Sequence, residues 1–225
     1  MSKKHVLKLS ALAVAIATAA PMVATAEVTG SLDIASQYLW RGVTLFNGGT
    51  VSGSLDYGHE SGLYAGVWAS SESEKGEYDL YAGFAGETGD FSYDIGVVNY
   101  RYSGDGTGVA DTCNEIRAQD CNFTEGYVSV GFMGFGASAY VGVDEYGTGD
   151  DNKDNYYAVS YEYEKFSGVV GMYDYDDSDA NYTHVDLSYA VTDNLSLTGS
   201  QIIDQEVEGS YREDLKVVVA YSFPF

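Results

Sequence analysis

The stretch that decides the fold is the last one, LKVVVAYSFPF at residues 215–225. Counting back from Phe225, large apolar or aromatic side chains occupy every second position, and Pro, Ser, Ala, Val and Lys fill the positions between. This period-two alternation predicts a β-strand whose two faces have different neighbours. The final strand of a soluble β-sandwich and the closing strand of a membrane barrel would both show it. The rest of the chain distinguishes these two alternatives.

The other end of the chain predicts export. Residues 1–26 contain three lysines, then the apolar run at residues 9–20, then the small-residue junction Ala24-Thr25-Ala26. This arrangement is typical of a cleaved secretory signal peptide. We therefore expect a signal peptide over residues 1–26 and a single domain over residues 27–225. No later run approaches the roughly 18 apolar residues of a transmembrane helix, so this chain would cross a membrane only as a closed barrel.

The composition excludes one class of partner and favours strands. Residues 27–225 hold 8 Lys and Arg against 34 Asp and Glu, a formal net charge of −26. A chain of this charge repels the phosphates of nucleic acid. The 27 Gly and 21 Tyr with only 2 Pro favour strands and tight turns. The 45% hydrophobic and 14% aromatic content argues against a disordered acidic chain.

Similar alternation recurs along the chain and predicts twelve strands. They are placed at residues 28–41, 50–59, 63–70, 77–86, 91–102, 124–133, 135–144, 156–164, 168–175, 183–191, 194–203 and 215–225. The faces of the third and ninth strands are ambiguous. The odd-numbered connections are long or acidic and the even-numbered ones are short, as in a barrel with long external loops and short periplasmic turns. A Greek-key sandwich has no reason to keep that parity. The predicted fold is therefore all-β, a transmembrane up-and-down antiparallel β-barrel of about 12 strands.

Aromatic residues near the predicted strand ends fit two membrane girdles, where a ring is half wet and half apolar. The external girdle would contain Tyr38, Trp40 and Trp68, and the periplasmic girdle Tyr57, Phe91, Tyr163, Tyr189, Phe223 and Phe225. Each of these residues also simply favours strands, so the assignment of any single one stays open.

Following the strand parity inward gives candidate pore-lining residues. They are Asp33, Gln37, Arg41, Ser54, Asp56, Asp79, Tyr81, Asp94, Glu162, Glu164, His184, Asp186 and Lys216. Twelve strands lie between barrels filled by their own side chains and open channels. Because acids outnumber bases in this set, a narrow lumen would favour cations or neutral hydrophiles. The hypothesis is an outer-membrane porin-like channel for passive diffusion of small hydrophilic solutes. A lumen closed by its own ion pairs is the alternative.

Arg41 stands out among the few bases. It lies in YLWRG, residues 38–42, and with Tyr38 and Trp40 facing lipid the parity turns its guanidinium inward near the external mouth. There it would either pair with an acid such as Asp33 or line a constriction. Pairing is favoured because an unpaired buried charge is destabilising.

Two stretches carry a resemblance to known families. The alternation that ends on Tyr221, Phe223 and Phe225 resembles the closing strand of bacterial outer-membrane barrels, which implies recognition by the barrel-assembly machinery. Residues 36–70, with Trp40, Arg41 and Gly42 and later Asp56, Tyr57, Gly66 and Trp68, resemble the opening of the TorF family of porin-like proteins, also catalogued as the bacterial conserved hypothetical family Gcw_chp. The resemblance implies an outer-membrane pore-like protein whose substrate is not securely defined.

The two cysteines, Cys113 and Cys121, lie in the fifth predicted connection. An oxidising compartment favours a disulfide between them, and no second Cys or His pair accompanies them as in a metal site. The acidic connections are expected to be solvated surface, although calcium binding or bridging of lipid phosphates by divalent ions is a weaker alternative. No cofactor is expected.

Other functional classes are less well supported. An outer-membrane acyl hydrolase would need a Ser beside a His on the lipid face, and neither His59 nor His184 offers that arrangement, so no enzyme activity is expected. A non-conducting structural or adhesive barrel, acting through its acidic external loops, is the main alternative to a channel. The expected partners are outer-membrane lipid and lipopolysaccharide, the barrel-assembly machinery, and small hydrophilic solutes or cations.

Overall fold

The computed structural model describes residues 26–71, 76–102, 122–145, 153–176 and 179–225. Within these ranges the chain forms fourteen β-strands. They are β1 (Glu27–Ala35), β2 (Tyr38–Trp40), β3 (Val43–Phe46), β4 (Thr50–Gly58), β5 (Leu63–Ser71), β6 (Gly76–Thr88), β7 (Phe91–Tyr102), β8 (Phe123–Phe132), β9 (Phe135–Glu145), β10 (Asn155–Tyr163), β11 (Phe166–Asp174), β12 (Tyr182–Ala190), β13 (Leu195–Gln205) and β14 (Lys216–Pro224).

Twelve of these strands, β1 and β4 to β14, form one closed antiparallel barrel. Each strand pairs with its neighbour along this series, and the seam is closed where β1 pairs with β14 in the register Asp33 opposite Ser222. Closure leaves no open sheet edge, as a membrane requires. The predicted twelve-strand up-and-down barrel is confirmed.

The two faces of the barrel wall differ as the period-two pattern requires. In β14, the side chain of Val217 is 56% exposed, whereas that of the adjacent Val218 is 2% exposed. Large apolar side chains such as Leu55, Leu80 and Leu187 point outward on other strands. This outer surface suits lipid rather than water, which makes the barrel a transmembrane one. Among the described residues, no helix has both the length and the apolar character to cross a membrane.

The two ends of the barrel are also different. Turns of two to four residues join β4 to β5, β6 to β7, β8 to β9, β10 to β11 and β12 to β13. At the opposite end, four residues separate β5 from β6, and seven or more separate the strands in β7–β8, β9–β10, β11–β12 and β13–β14. The tight turn after β8 places Met133 and Gly134 at φ angles of 51° and 88°, which is typical of a two-residue hairpin turn. The chain therefore has a short-turn end and a long-connection end, as the alternation of connection lengths predicted.

The first predicted strand is too long. β1 ends at Ala35, and residues 38–46 form a separate hairpin from β2 and β3. Its turn is made by Arg41 and Gly42, at φ angles of 47° and 84°. Tyr38 and Trp40 consequently do not lie on the barrel's lipid face, and the expected external girdle of Tyr38, Trp40 and Trp68 is wrong. Trp68 packs against Tyr38, with ring centroids 5.9 Å apart, because its strand face points inward.

The residues that link β1 to the hairpin complete the barrel seam. The backbone N–H of Ser36 donates to the carbonyl of Val219 at 2.9 Å, and its hydroxyl accepts from the N–H of Val219 at 3.0 Å. The amide of Gln37 donates to the carbonyl of Val217 at 2.9 Å. One backbone group and two side chains of Ser36 and Gln37 thus continue the pairing with β14 beyond the end of β1.

Candidate functional site in the barrel lumen

The hairpin formed by β2 and β3, called here the lumen hairpin, lies inside the barrel. Leu39 is buried on the seam with Ala35, Val218 and Ala220. On the far wall, Trp40 packs against rings of β7, β8 and β11, with centroids 5.7–6.5 Å apart. The hairpin therefore bridges the lumen from the seam to the opposite strands.

The tip of the lumen hairpin is fixed by a buried ion pair. Arg41 donates through Nη1 to Oε1 of Glu125 at 2.8 Å and through Nη2 to Oε2 at 2.6 Å. Tyr100 donates a further hydrogen bond to Glu125 at 3.0 Å. Arg41 and Glu125 are only 6% and 1% exposed. Parallel, charge-assisted bonds of this kind are among the strongest in proteins, and each charge here depends on the other.

Aromatic rings enclose the same guanidinium. Its Cζ atom lies 4.5 Å from the ring centre of Trp40, 4.6 Å from that of Tyr140 and 4.4 Å from that of Tyr156. The ring of Tyr173 follows at 5.5 Å. A cation this close to ring faces is stabilised by their quadrupoles, more strongly when water is excluded. Glu125, Tyr140, Tyr156 and Tyr173, called here the cation cage, all belong to the barrel wall.

Strand β12 of the barrel wall contacts the backbone of the hairpin tip. Tyr182 donates to the carbonyl of Arg41 at 3.0 Å. Gly42 lies against His184, and a Cβ atom added there would be 2.5 Å from the Cβ of His184. His184 is fully buried; its Nε2 lies 2.9 Å from the Tyr156 hydroxyl and its Nδ1 lies 3.0 Å from Asp186. The tip therefore fits a shaped and polar receptor.

Pairs of an acid and a phenol line the lumen closer to the short-turn end. Tyr81 donates to Asp56, which also accepts from Ser54 at 2.7 Å. Tyr64 donates to Asp94 at 2.6 Å and is hydrogen-bonded to Tyr127. In the part of the chain that the structure describes, each of these two carboxylates is held by hydroxyl groups.

An open cavity of about 240 Å³ lies at this short-turn end, between β7 and β10. The polar part of its lining includes Ser92, Asp94, Ser129, Ser160 and Glu162. The lumen thus combines an open cavity with mixed polar and apolar lining at one end and a hairpin across the other.

The structure places most of the predicted pore-lining residues on the inner face. Asp33, Asp79, Asp94, His184, Asp186 and Lys216 are buried there, and Asp56 and Tyr81 are half-buried. Glu162 is exposed beside the cavity and Glu164 lies in the turn after β10. Gln37 is a further exception, because its side chain is bonded to the β14 backbone at the seam. Arg41 pairs with Glu125 and not with Asp33, whose Oδ2 atom accepts from Ser31 at 2.6 Å.

The sequence prediction omitted Glu125 and the tyrosines of the cation cage. Strand parity was sufficient to turn Glu125 and Tyr156 inward, since Val128 on β8 and Tyr157 on β10, at positions of the opposite parity, point outward. It was not sufficient for Tyr173, because the faces of its strand were ambiguous. That these side chains converge on Arg41 could not be predicted without the lumen hairpin, which brings Arg41 to them.

The described residues contain no group of three or more His, Cys, Asp or Glu side chains arranged to hold a metal ion. The predicted disulfide between Cys113 and Cys121 lies outside the described residues. The aromatics Tyr221, Phe223 and Phe225 are exposed on the outer face at the short-turn end, and Phe225 is paired with Gly30 by two backbone hydrogen bonds of 2.9 Å.

An apolar exterior, a polar interior and complete antiparallel closure define a transmembrane β-barrel of the outer-membrane type. The chain belongs to the family described as "Bacterial protein of unknown function (Gcw_chp)", whose model matches residues 18–220. This confirms the family resemblance seen in the sequence. No curated protein matches the sequence significantly.

Solved structures that match this chain include two porins and a further outer membrane protein, all of low sequence identity. The KdgM porin aligns with a TM-score of 0.50 and 8% identity, over 88% of this chain and 98% of that chain. The NanC porin gives a TM-score of 0.45 and 12% identity, over 87% and 98% of the two chains. The outer membrane protein OpdK from Pseudomonas aeruginosa gives 0.43 and 14%, over 79% and 58%. The KdgM likeness establishes a shared fold.

Proposed function

We propose that this protein is a narrow outer-membrane channel for passive diffusion of small hydrophilic solutes, with a preference for cations. The observation that carries this proposal is an acidic, polar lumen inside a lipid-facing barrel, crossed by the lumen hairpin. Export by a cleaved signal peptide, insertion by the barrel-assembly machinery and contact with lipopolysaccharide complete the proposal.

The charges of the lumen support cation preference. Among the described buried side chains, six carboxylates face two basic side chains and one histidine. They are Asp33, Glu77, Asp79, Asp94, Glu125 and Asp186, against Arg41, Lys216 and His184. Acidic walls in a low-dielectric enclosure concentrate cations and repel anions.

The lumen hairpin supports narrowness. It places Trp40, Arg41 and Gly42 within contact of the inner wall near the long-connection end. Solutes would either pass through the space beside the docked hairpin or pass after the hairpin has left the cation cage.

The site gives no support to an enzyme. His184 uses both ring nitrogens for Tyr156 and Asp186. His59 does lie near a serine, with its Nδ1 2.8 Å from the hydroxyl of Ser61, but the N–H of Ser61 also donates to that nitrogen. The contact closes the short turn after β4, at the end of the barrel opposite the cation cage.

A second candidate is a non-conducting structural barrel. The buried pair of Arg41 and Glu125 favours it, because a permanently docked hairpin would close the lumen. Action through acidic external loops would then remain as the function.

Conductance separates the two candidates. The refolded protein, without residues 1–26, is inserted in a planar bilayer under a KCl gradient. Stepwise currents with a reversal potential toward that of K⁺ are expected for the proposed channel. An intact barrel, verified by its heat-dependent gel mobility, that carries no current would overturn the channel in favour of the structural barrel.

A further inference from the structure

The cation cage is a binding site whose ligand is part of the chain itself. The carboxylate and three of the four rings that surround the guanidinium come from β8, β9, β10 and β11. The guanidinium comes from the lumen hairpin. Removal of the hairpin would therefore leave the wall with an acidic aromatic pocket.

The chemistry of this pocket selects one class of ligand. Both oxygens of Glu125 face a planar fork of N–H donors, and the carboxylate is held in place by Tyr100. The rings of Tyr140 and Tyr156 offer their faces to a flat, weakly hydrated cation. A guanidinium satisfies both demands, whereas an ammonium lacks the planar fork and an anion is repelled.

We propose that the cation cage binds solutes that carry a guanidinium group, and that Arg41 occupies the cage when no such solute is present. This inference rests on the proposed channel function and assigns it a solute class. Arg41 acts as a tethered competitor, and tethered ligands have effective concentrations in the millimolar range or above. Solutes are therefore expected to bind weakly to the native protein.

The first test measures binding without any need for conductance. Methylguanidinium chloride is titrated into the detergent-solubilised barrel by calorimetry, with methylammonium chloride as the matched probe. The variant Arg41→Ala removes the competitor and should bind methylguanidinium about tenfold or more tightly than the native protein, a change of about 1.4 kcal/mol. It should also prefer methylguanidinium to methylammonium.

Two further variants control this result. Adding Glu125→Gln to Arg41→Ala should abolish the preference, because the carboxylate is lost. Arg212→Ala removes an exposed arginine from the connection between β13 and β14 and should leave the native affinity unchanged. If the folded Arg41→Ala barrel binds methylguanidinium no better than methylammonium, the proposal is wrong.

A second measurement covers the case in which Arg41→Ala does not fold. In Trp68→Phe, Trp40 is the remaining tryptophan and lies 4.5 Å from the Arg41 guanidinium. Methylguanidinium that displaces Arg41 should change its fluorescence saturably, and methylammonium should do so much less. Equal, unsaturable responses to both probes would contradict the proposal.

The bilayer experiment distinguishes the two proposals. Guanidinium binding without any current would refute the channel and leave the cation cage as a binding site. Current without guanidinium preference in either binding measurement would support the channel and refute the cage as its solute site.

Discussion

Replacing Glu125 by leucine should release the lumen hairpin. The substitution leaves the Arg41 guanidinium buried without the carboxylate that receives its bonds of 2.6 and 2.8 Å. Removal of one partner from a buried ion pair typically destabilises by about 3–5 kcal/mol. This destabilisation applies to the docked form of the hairpin, because in the withdrawn form water hydrates the Arg41 guanidinium. At about 1.4 kcal/mol per tenfold, the docked fraction should fall relative to the withdrawn one by roughly a hundredfold to several thousandfold.

Single-channel recording measures this shift as an increase in open probability or in unit conductance. Glu208→Leu, at an exposed position between β13 and β14, controls for the loss of a carboxylate. The double variant Arg41→Met with Glu125→Leu should return toward the native behaviour, because an apolar pair of similar volume often replaces a buried ion pair without loss.

Two outcomes would refute this reasoning. Native currents in Glu125→Leu would mean that the ion pair does not hold the hairpin. Equal opening in the single and double variants would mean that leucine opens the lumen by a route other than the stranded charge.

Three further predictions address the turn, the lumen charge and the closing strand. Gly42→Ala should increase channel opening more than Gly209→Ala. Both glycines have φ near 85° and share a left-handed strain of about 1–2 kcal/mol, but only the new methyl group at position 42 would meet His184. Equal currents in the two variants would exclude the clash with His184. Asp94→Asn should lower the K⁺ to Cl⁻ permeability ratio by up to about fivefold, because a carboxylate about 4 Å from a passing ion in water contributes about 1 kcal/mol. Reversal potentials under a KCl gradient measure this ratio. An unchanged ratio would mean that Asp94 does not lie on the conduction path. Deletion of Phe225 removes two backbone hydrogen bonds from the seam and should reduce the yield of heat-modifiable barrel on gels, whereas a full yield would show that the terminal residue is dispensable for assembly.

Much of the barrel was predictable because lipid and lumen impose one simple rule on every strand. Side chains must alternate between apolar and polar surroundings, and β14 shows this in Val217 and Val218. The recurrence of this alternation predicted twelve strands, and the connection lengths then distinguished the two ends of the barrel. The faces of β5 and β11 were ambiguous because Trp68 and Tyr173 are large aromatic residues that face inward.

The lumen hairpin was not predicted because its strands also alternate, so the pattern runs through Ser36 and Gln37 without a break. Its turn has Arg41 at a positive φ, a conformation that few residues other than glycine adopt. Glu125 lies 84 positions further along the chain. Parity says that both side chains point inward, but it carries no information on which residues meet across a lumen.

The contacts between the lumen hairpin and the β1–β14 seam couple the position of the hairpin to closure of the barrel. Leu39 packs on Ala35 of β1 and on Val218 and Ala220 of β14, the two strands that must meet to close the cylinder. The hairpin also begins directly after β1, with Ser36 and Gln37 bonded to β14. Pairing of the first and last strands therefore forms the surface against which the hairpin packs. A barrel that closed with the hairpin outside would lack these packing contacts and hydrogen bonds at its seam.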